Sequence, residues 1–586
     1  MKRRREAAEQ ARRAPSGGPP ARGHAGRSRR RLWWRLLGLF AGLIVLLEVY
    51  GPSLRGPFLF DDLYLPFTAP EFAGQPVTSW MAGARPLLML TFWINLRLSG
   101  LEPFPYHLLN LGLHLLTGFL VWMIVRRLLS RTGAGAPGRE ILSAFAAGLF
   151  LLHPVQTESV AYVASRSETL SVMFFYAAFA AFLYRRQDAI SWWESLGVVA
   201  LFGAGVITKE HVAVLPVLLL LTDYFWNPGF SFQGIRRNWR LYLLTAAGGL
   251  LALRFVWKVL AQSDTAGFAV KEVSWYQYFF TQCRVIWRYI RLFFLPYGQT
   301  IDYDLPVSRS LLEHGALLGL LGLLALGIAA WYYRRRFPLA CYGFFTFLLL
   351  LAPTSSVVPI ADPIAEHRLY LPMIGLLLVV VEALRRWKIG TRALAGTLAA
   401  ALVLAAGLCY QRNRVWGDEI ALWEDAVAKS PRKARAHFQL AFVYFQHGRC
   451  DAALEHYQTV AQLSKPDFRL LVDWAMAYDC RGRWQEAIEK LRQAASLSAN
   501  AHVYSLMGMV YAKQGKRTEA LQALETAARL NPAYELTYLY RGNLFASANE
   551  FQTAMEDYRH ALLLNPRNEA ARKALALVEN RLRTFR

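Results

Sequence analysis

The sequence predicts an all-α chain in two parts, a polytopic helical membrane domain followed by a superhelix of paired helices. Three observations predict it. Hydrophobic residues make up 55% of the 586 and charged residues 18%, an apolar balance for a soluble chain, and the excess is gathered in blocks between 33 and 410. Short arginine clusters stand beside those blocks, as topology signals do. Beyond 410 the composition is ordinary and self-similar at a period of 34 residues. The net charge of +25 raises the question of nucleic-acid binding, but its placement at span ends argues against that partner.

Residues 1–31, rich in Arg, Gly, Pro and Ala, read as a disordered basic tail. The apolar stretch Leu32 to Tyr50 is long enough to cross a bilayer and has no small-residue cleavage signature, so it reads as a retained signal anchor. Arg29, Arg30, Arg31 and Arg35 hold the N-terminus in the cytoplasm. The membrane domain, 32–410, then carries about eleven spans, near 33–50, 107–125, 140–153, 169–184, 194–208, 211–226, 241–260, 312–333, 338–353, 369–384 and 392–410. Its first outer loop is 51–105. The pairs and triplets at Arg126, Arg185, Arg236, Arg334 and Arg385 all fall on the N-terminal side provided that 276–296 does not cross. That segment sets Arg284, Arg288 and Arg291 on one helical face, as suits a helix lying in the interface. An odd number of spans leaves the C-terminal domain outside the cytoplasm.

In 411–586, Gly508, Ala520, Ala527 and Pro532 recur 34 residues later as Gly542, Ala554, Ala561 and Pro566. Looser copies run through Ala441, Tyr444 and Ala453, then Ala475, Tyr478 and Ala487. This is the tetratricopeptide register: a half repeat ending at Pro431, about four full repeats and a capping helix near 568–582. Such superhelices bind peptides in a concave groove or act as spacers. Cys450 and Cys480 fall in successive repeats; they read as free structural cysteines, with a disulfide outside the cytoplasm as the alternative.

Ionisable residues at the outer ends of spans are costly and ask for a partner or a role. The first outer loop opens on Phe58-Leu59-Phe60-Asp61-Asp62. Its carboxylates are either a general base made more basic by partial desolvation or an Asx-turn or helix cap at the loop start. Arg85 and Asn95 follow, then His107, Asn110 and His114 as one polar stripe of a membrane helix, which lines a site or bonds between helices. Further outer segments carry His153, Glu158, Arg166 and Glu168; Lys209, Glu210 and His211; Asp302 and Asp304; and Glu366, His367, Arg368 and Tyr370. Each alone reads as an ion pair or a snorkelling side chain. Together they gather carboxylates, histidines and cations on one face of the bilayer.

The strings FLFDD, RPLLMLTFWIN, YHLLNLGLH, LFLLHPVQTESVAYVASRSE, TKEHVAVLP and AEHRLYLP resemble the successive signatures of the transmembrane-and-tetratricopeptide O-mannosyltransferases and their bacterial relatives. The resemblance runs from about 56 to 386, with the repeats following in the same order. It implies a GT-C-like membrane domain that takes sugar from a polyprenyl-phosphate carrier on the extracytoplasmic side. It makes the pair in FLFDD catalytic, with Asp61 as base and Asp62 orienting the acceptor or Asp61. Arg284, Arg288, Arg291, His367 and Arg368, with Arg166 and Lys209 behind them, are the candidates for holding the donor phosphate. Arg85, His107, Asn110, His153, Glu158, Glu168, Glu210, Glu366 and Tyr370 are the candidates for lining the substrate site. The family's motif reads glutamate-arginine where His367 follows Glu366 here, a departure at that position.

What the resemblance implies is therefore an inverting glycosyltransferase acting on a protein hydroxyl, with mannose as the expected sugar and the repeats binding the acceptor polypeptide. Its partners would be the lipid-linked sugar, the acceptor and membrane lipid; no metal site or other cofactor is assigned, and a divalent metal at Asp61 and Asp62 is the open alternative. The Arg/Ala/Leu-rich composition suits a bacterial inner membrane with the repeats in the periplasm. The competing function is a non-catalytic membrane-anchored scaffold for envelope protein assembly. A transporter lacks support, since no inverted repeat with interrupted helices is visible.

Overall fold

The computed structural model describes residue 38 and residues 40–584 apart from 264 and 272. The basic tail, Arg35 and the start of the first span lie outside the described residues. The chain is helical throughout its two parts, and each expected span falls on a helix. These are α1 (Phe40–Leu54), α3 (Pro103–Arg131), α4 (Ala136–Leu152), α5 (Arg166–Leu183), α6 (Trp192–Val206), α7 (Leu215–Trp226), α8 (Trp239–Gln262), α10 (Ala316–Tyr333), α11 (Pro338–Leu351), α12 (Met373–Arg386) and α13 (Thr391–Trp416). Two further helices complete this part, α2 (Pro86–Ser99) inside the first outer loop and α9 (Trp275–Phe294). The span pattern predicts loop where the fourteen residues of α2 form a helix. By length and composition, four described helices can cross a membrane: α3, α10, α13 and most of α8.

The centre of the bundle is α3 packed on α4 and α5, with α12 and α13 against α4. Val121, Ile124, Val125 and Leu128 of α3 are fully buried there with Phe182 and Leu183 of α5. Small residues allow close crossings, as in membrane bundles generally: a Cβ on Gly343 of α11 would stand 2.5 Å from the carbonyl oxygen of Gly375 in α12. The arginine helix α9 bonds along its length to connecting segments and, through Trp287 Nε1 to Gly319 O (2.9 Å), to α10. Tyr278 donates to Thr354 O (2.6 Å), Gln282 to Pro363 O (2.8 Å) and Tyr289 to Ala365 O (3.2 Å).

The ends of α1 and α13 meet. Ser53 Oγ donates to Asn413 Oδ1 at 2.8 Å, and a Cβ on Gly417 would lie 2.7 Å from Pro52 O. The chain therefore leaves α13 on the face where the first outer loop begins, and the repeats are built on that face.

The repeats follow as α14 (Glu419–Lys429), the half repeat, then four pairs: α15 (Ala434–Gln446) with α16 (Cys450–Leu463), α17 (Phe468–Cys480) with α18 (Trp484–Leu497), α19 (Ala501–Lys513) with α20 (Arg517–Leu530), and α21 (Glu535–Ser547) with α22 (Phe551–Leu564). The capping helix is α23 (Glu569–Thr584). The small residues of the register are where helices touch: Ala453, Ala487, Ala520 and Ala554 are completely buried, and a Cβ on Gly542 would meet the Tyr558 ring at 2.7 Å. Turns within the first three pairs need positive φ, supplied by Gly448, Gly482 and Gly515; the fourth uses Asn549 at φ 62°, the residue type that tolerates it next best. Cys450 and Cys480 are bonded, with Cα atoms 6.3 Å apart, which corrects the reading of them as free. Stacking of successive repeats brings the start of α16 against the end of α17, a proximity that spacing along the chain does not reveal.

Candidate active site

Residues Phe60–Tyr64 form a single 3₁₀ turn anchored on both sides. Leu59 is buried with Ala161, Tyr162, Trp416 and Leu422. Phe60, held at φ 48°, sets its ring edge-on to Trp423 of α14 at 5.4 Å. A bulky residue with positive φ is a strained conformation that the surroundings must enforce. These anchors divide the two aspartates. Asp62 is fully buried, its Oδ1 accepting from Ala164 N–H (2.6 Å) and its Oδ2 from Leu59 N–H (3.1 Å). Burial pushes its carboxyl up to about 7, those amides pulling back. Asp61 is exposed. Its N–H donates to the Tyr162 hydroxyl at 2.9 Å. Its carboxyl is raised from the ordinary range by partial desolvation and by Asp362, against the pull of Tyr162, Arg435 and His367.

Around this turn the outer segments form a connected polar network. Glu158 Oε1 pairs with His367 Nδ1 at 2.5 Å and its Oε2 accepts from Glu366 N–H at 2.9 Å. The Glu366 carboxylate accepts from Tyr303 OH (2.7 Å), Gln299 Nε2 (2.7 Å) and Thr300 N–H (2.8 Å). Arg368 is buried and donates to Asp362 O (2.6 Å) and Tyr278 OH (3.3 Å). Asp61, Glu158, Glu366, His367 and Arg368 are thus brought together.

Other candidates are placed elsewhere or are occupied. Arg166 is completely buried; it donates to Asn110 Oδ1 (2.9 Å) and Tyr106 O (3.0 Å) and lies 4.4 Å over the Phe92 ring. Asn110 in turn donates to Tyr162 O (3.2 Å), so this pair props the segment that touches Asp61. His107 lies buried against the backbone of Gly56 and Ala161. His114 pairs with Tyr370 OH (2.8 Å) inside the bundle, and His153 with Phe293 O (2.9 Å). Glu168 takes Lys209 and His211 as partners, and Glu210 takes Arg85 at 2.8 Å. On α9, Arg284 donates to Ser308 Oγ (2.8 Å) and Arg291 to Tyr297 O (3.1 Å). Arg288, half-buried, stacks 5.0 Å over the ring of Tyr303, whose hydroxyl holds Glu366. Among the described residues no group of three or more His, Cys, Asp or Glu is arranged to hold a metal ion. With Asp62 committed to two amides, one free carboxylate is left at the turn, and this donor set does not fit a divalent metal.

Several site residues were not foreseen. Tyr162 and Asp362 lie inside or beside recognised strings, and their nearness to span ends was a usable signal. Arg435 of α15 had none. It forks onto Asp302 (2.7 Å to each oxygen) and onto Asp362 (2.9 and 3.1 Å), and its guanidinium lies 5.8 Å from the Phe60 ring. Arg432 pairs with Asp304 (3.0 Å), Lys429 donates to Gln299 O (2.7 Å), and Arg469 of α17 donates to Tyr64 OH (2.9 Å).

Fold and site together define a polytopic helical membrane protein with a tetratricopeptide array seated on the face where its polar connecting segments gather. Tetratricopeptide repeat models match residues 470–500 and 501–534. The chain is similar to the TMTC protein O-mannosyl-transferases over most of its length. It is 24% identical to Protein O-mannosyl-transferase TMTC3 of Homo sapiens over 614 residues, covering 92% of this chain and 65% of that protein. It is 25% identical to Protein O-mannosyl-transferase Tmtc3 of Drosophila melanogaster over 574 residues, covering 82% and 61%. A shorter match, 33% over 152 residues, covers 25% of this chain and 16% of Protein O-mannosyl-transferase Tmtc1 of Drosophila melanogaster. The chain spans a little under two thirds of the length of the TMTC3 relatives.

Proposed function

We propose that the protein is a membrane glycosyltransferase that moves a sugar, mannose on the analogy of its relatives' names, from a polyprenyl-phosphate carrier to a protein hydroxyl on the extracytoplasmic side. The observation that carries this reading is the division of labour in one turn: Asp62 is buried as a structural acceptor while Asp61 stays open under the charges of Arg435 and His367. An anchor or scaffold has no need of such a turn.

In this reading the acceptor hydroxyl approaches Asp61, which takes its proton as the oxygen bonds to the anomeric carbon. The bond from that carbon to the phosphate oxygen breaks, its electron pair leaves with the lipid phosphate, and the sugar is inverted. The departing group is already a stable anion and needs positive charge, not a proton. His367, a quarter exposed, and the half-buried stripe Arg284, Arg288 and Arg291 are assigned that part. Arg166, Lys209 and Arg368 act behind them by holding the surrounding segments. The repeats would present the acceptor, and a bacterial inner membrane with a periplasmic array suits the expected side.

The test is transfer from labelled polyprenyl-phosphate sugars to peptide acceptors by purified protein and by Asp61→Asn. Loss of transfer with donor binding and folding intact is expected. Undiminished transfer would remove Asp61 as base, and failure to bind any lipid-linked donor would favour the scaffold.

A further inference from the structure

We propose that Arg435, carried by the repeat array, is a positioning residue of the membrane active centre, so that the first repeat forms a wall of that centre. This inference rests on the glycosyltransferase reading and makes the array more than a tethered receptor for the acceptor.

The geometry that supports it is the double fork. One guanidinium holds Asp302, which is buried, and Asp362, which is not, and these belong to two separate outer segments. Planar five-donor geometry allows one arginine to bind two carboxylates at once; lysine cannot reproduce it. The same guanidinium faces the Phe60 ring, and Phe60 is the strained residue directly before Asp61. Trp423 packs edge-on against that ring. Arg469 of the second repeat reaches Tyr64 at the far end of the turn. The turn that aims Asp61 is thus braced by repeat residues at both ends. Neighbouring contacts strengthen the docking: Arg432 to Asp304, Lys433 to Asp302 at 3.5 Å, and Lys429 to Gln299 O.

The charged and titratable groups facing Asp61 are Tyr162 and Asp62 from the membrane domain, Asp362 and His367 from the later outer segment, and Arg435 from the repeats. Arg435 favours the ionised carboxylate and Asp362 opposes it. Removing the arginine leaves Asp362 unneutralised beside Asp61, so both changes push the base toward its protonated form.

The experiment compares the full-length wild type with Arg435→Gln, Arg435→Lys and Asp61→Asn in detergent or nanodiscs, measuring kcat and acceptor KM from pH 5 to 8. For Arg435→Gln, kcat at pH 6 should fall roughly tenfold with acceptor KM changed little, and the acid limb of the profile should move up by about half a pH unit or more. Arg435→Lys should keep the acid limb in place but lose kcat, since it retains charge without the double fork. If Arg435→Gln does not fold, the lysine variant alone decides: wild-type kcat in it overturns the proposal. An unmoved acid limb in Arg435→Gln with only KM raised also overturns it, leaving Arg435 as part of an acceptor groove. Undiminished transfer in Asp61→Asn would remove Asp61 as base and this inference with it, absence of transfer and donor binding in the wild type would overturn the glycosyltransferase reading, and an inactive Asp61→Asn beside a normal Arg435→Gln sinks this inference alone.

Discussion

Asp62→Asn tests whether the second aspartate of the turn is a structural acceptor. Burial raises the wild-type carboxyl from 3.8 to about 7, a shift worth roughly 4 kcal/mol of differential stability between its two protonation states. A folded-state value above the unfolded one means that the contribution is fully present below about pH 4 and is lost as pH rises through 7. Wild-type stability should therefore fall by about 1 kcal/mol per pH unit between pH 5 and 6.5 from this group. Asparagine does not titrate, so it removes that slope. It also replaces one of two acceptors by a donor facing an amide, leaving Leu59 N–H or Ala164 N–H without a partner at a cost of about 1–3 kcal/mol. The variant should be the less stable at pH 5, and its deficit should shrink toward pH 8. Thermal midpoints of both proteins in detergent across that range read the difference, in which other titrating groups cancel. Parallel profiles would refute the burial of an ionisable Asp62.

Two further outcomes follow from packing. Gly375→Val places a Cβ 2.5 Å from both Gly343 O and Phe347 N, forcing α11 and α12 apart; a loss of about 1–3 kcal/mol or more is expected, read as a lowered thermal midpoint, and an unchanged midpoint would contradict the close crossing. The Cys450–Cys480 bond closes a separation of 30 residues, so Cys450→Ser should destabilise the repeats by about 3–4 kcal/mol in the loop-entropy account. Denaturation followed by the fluorescence of the full-length protein, together with thiol labelling before and after reduction, checks it; ready labelling of both cysteines without reductant would show that they are unpaired.

Much of this molecule was legible in the chain. Apolar blocks became helices at the expected places, and the 34-residue register placed every repeat helix, because both depend on residues close in sequence. The individual jobs of the polar residues were less legible. Arg166 and Lys209, secondary candidates for the donor phosphate, are both taken up with Asn110, Tyr106 and Glu168. Sequence alone marks a charge in a costly place; it does not say which neighbour has already satisfied it.

What the sequence determined by itself was the two-part helical plan and the register of the repeats. Hydrophobicity and periodicity act over a few turns of helix, so they can be read locally. Only the tertiary structure decided which aspartate turns inward, that Tyr162 meets Asp61 from 101 residues away, and that Arg435 clasps Asp302 across 133. Such contacts depend on where whole helices end in space, and no local pattern of residues encodes that distance.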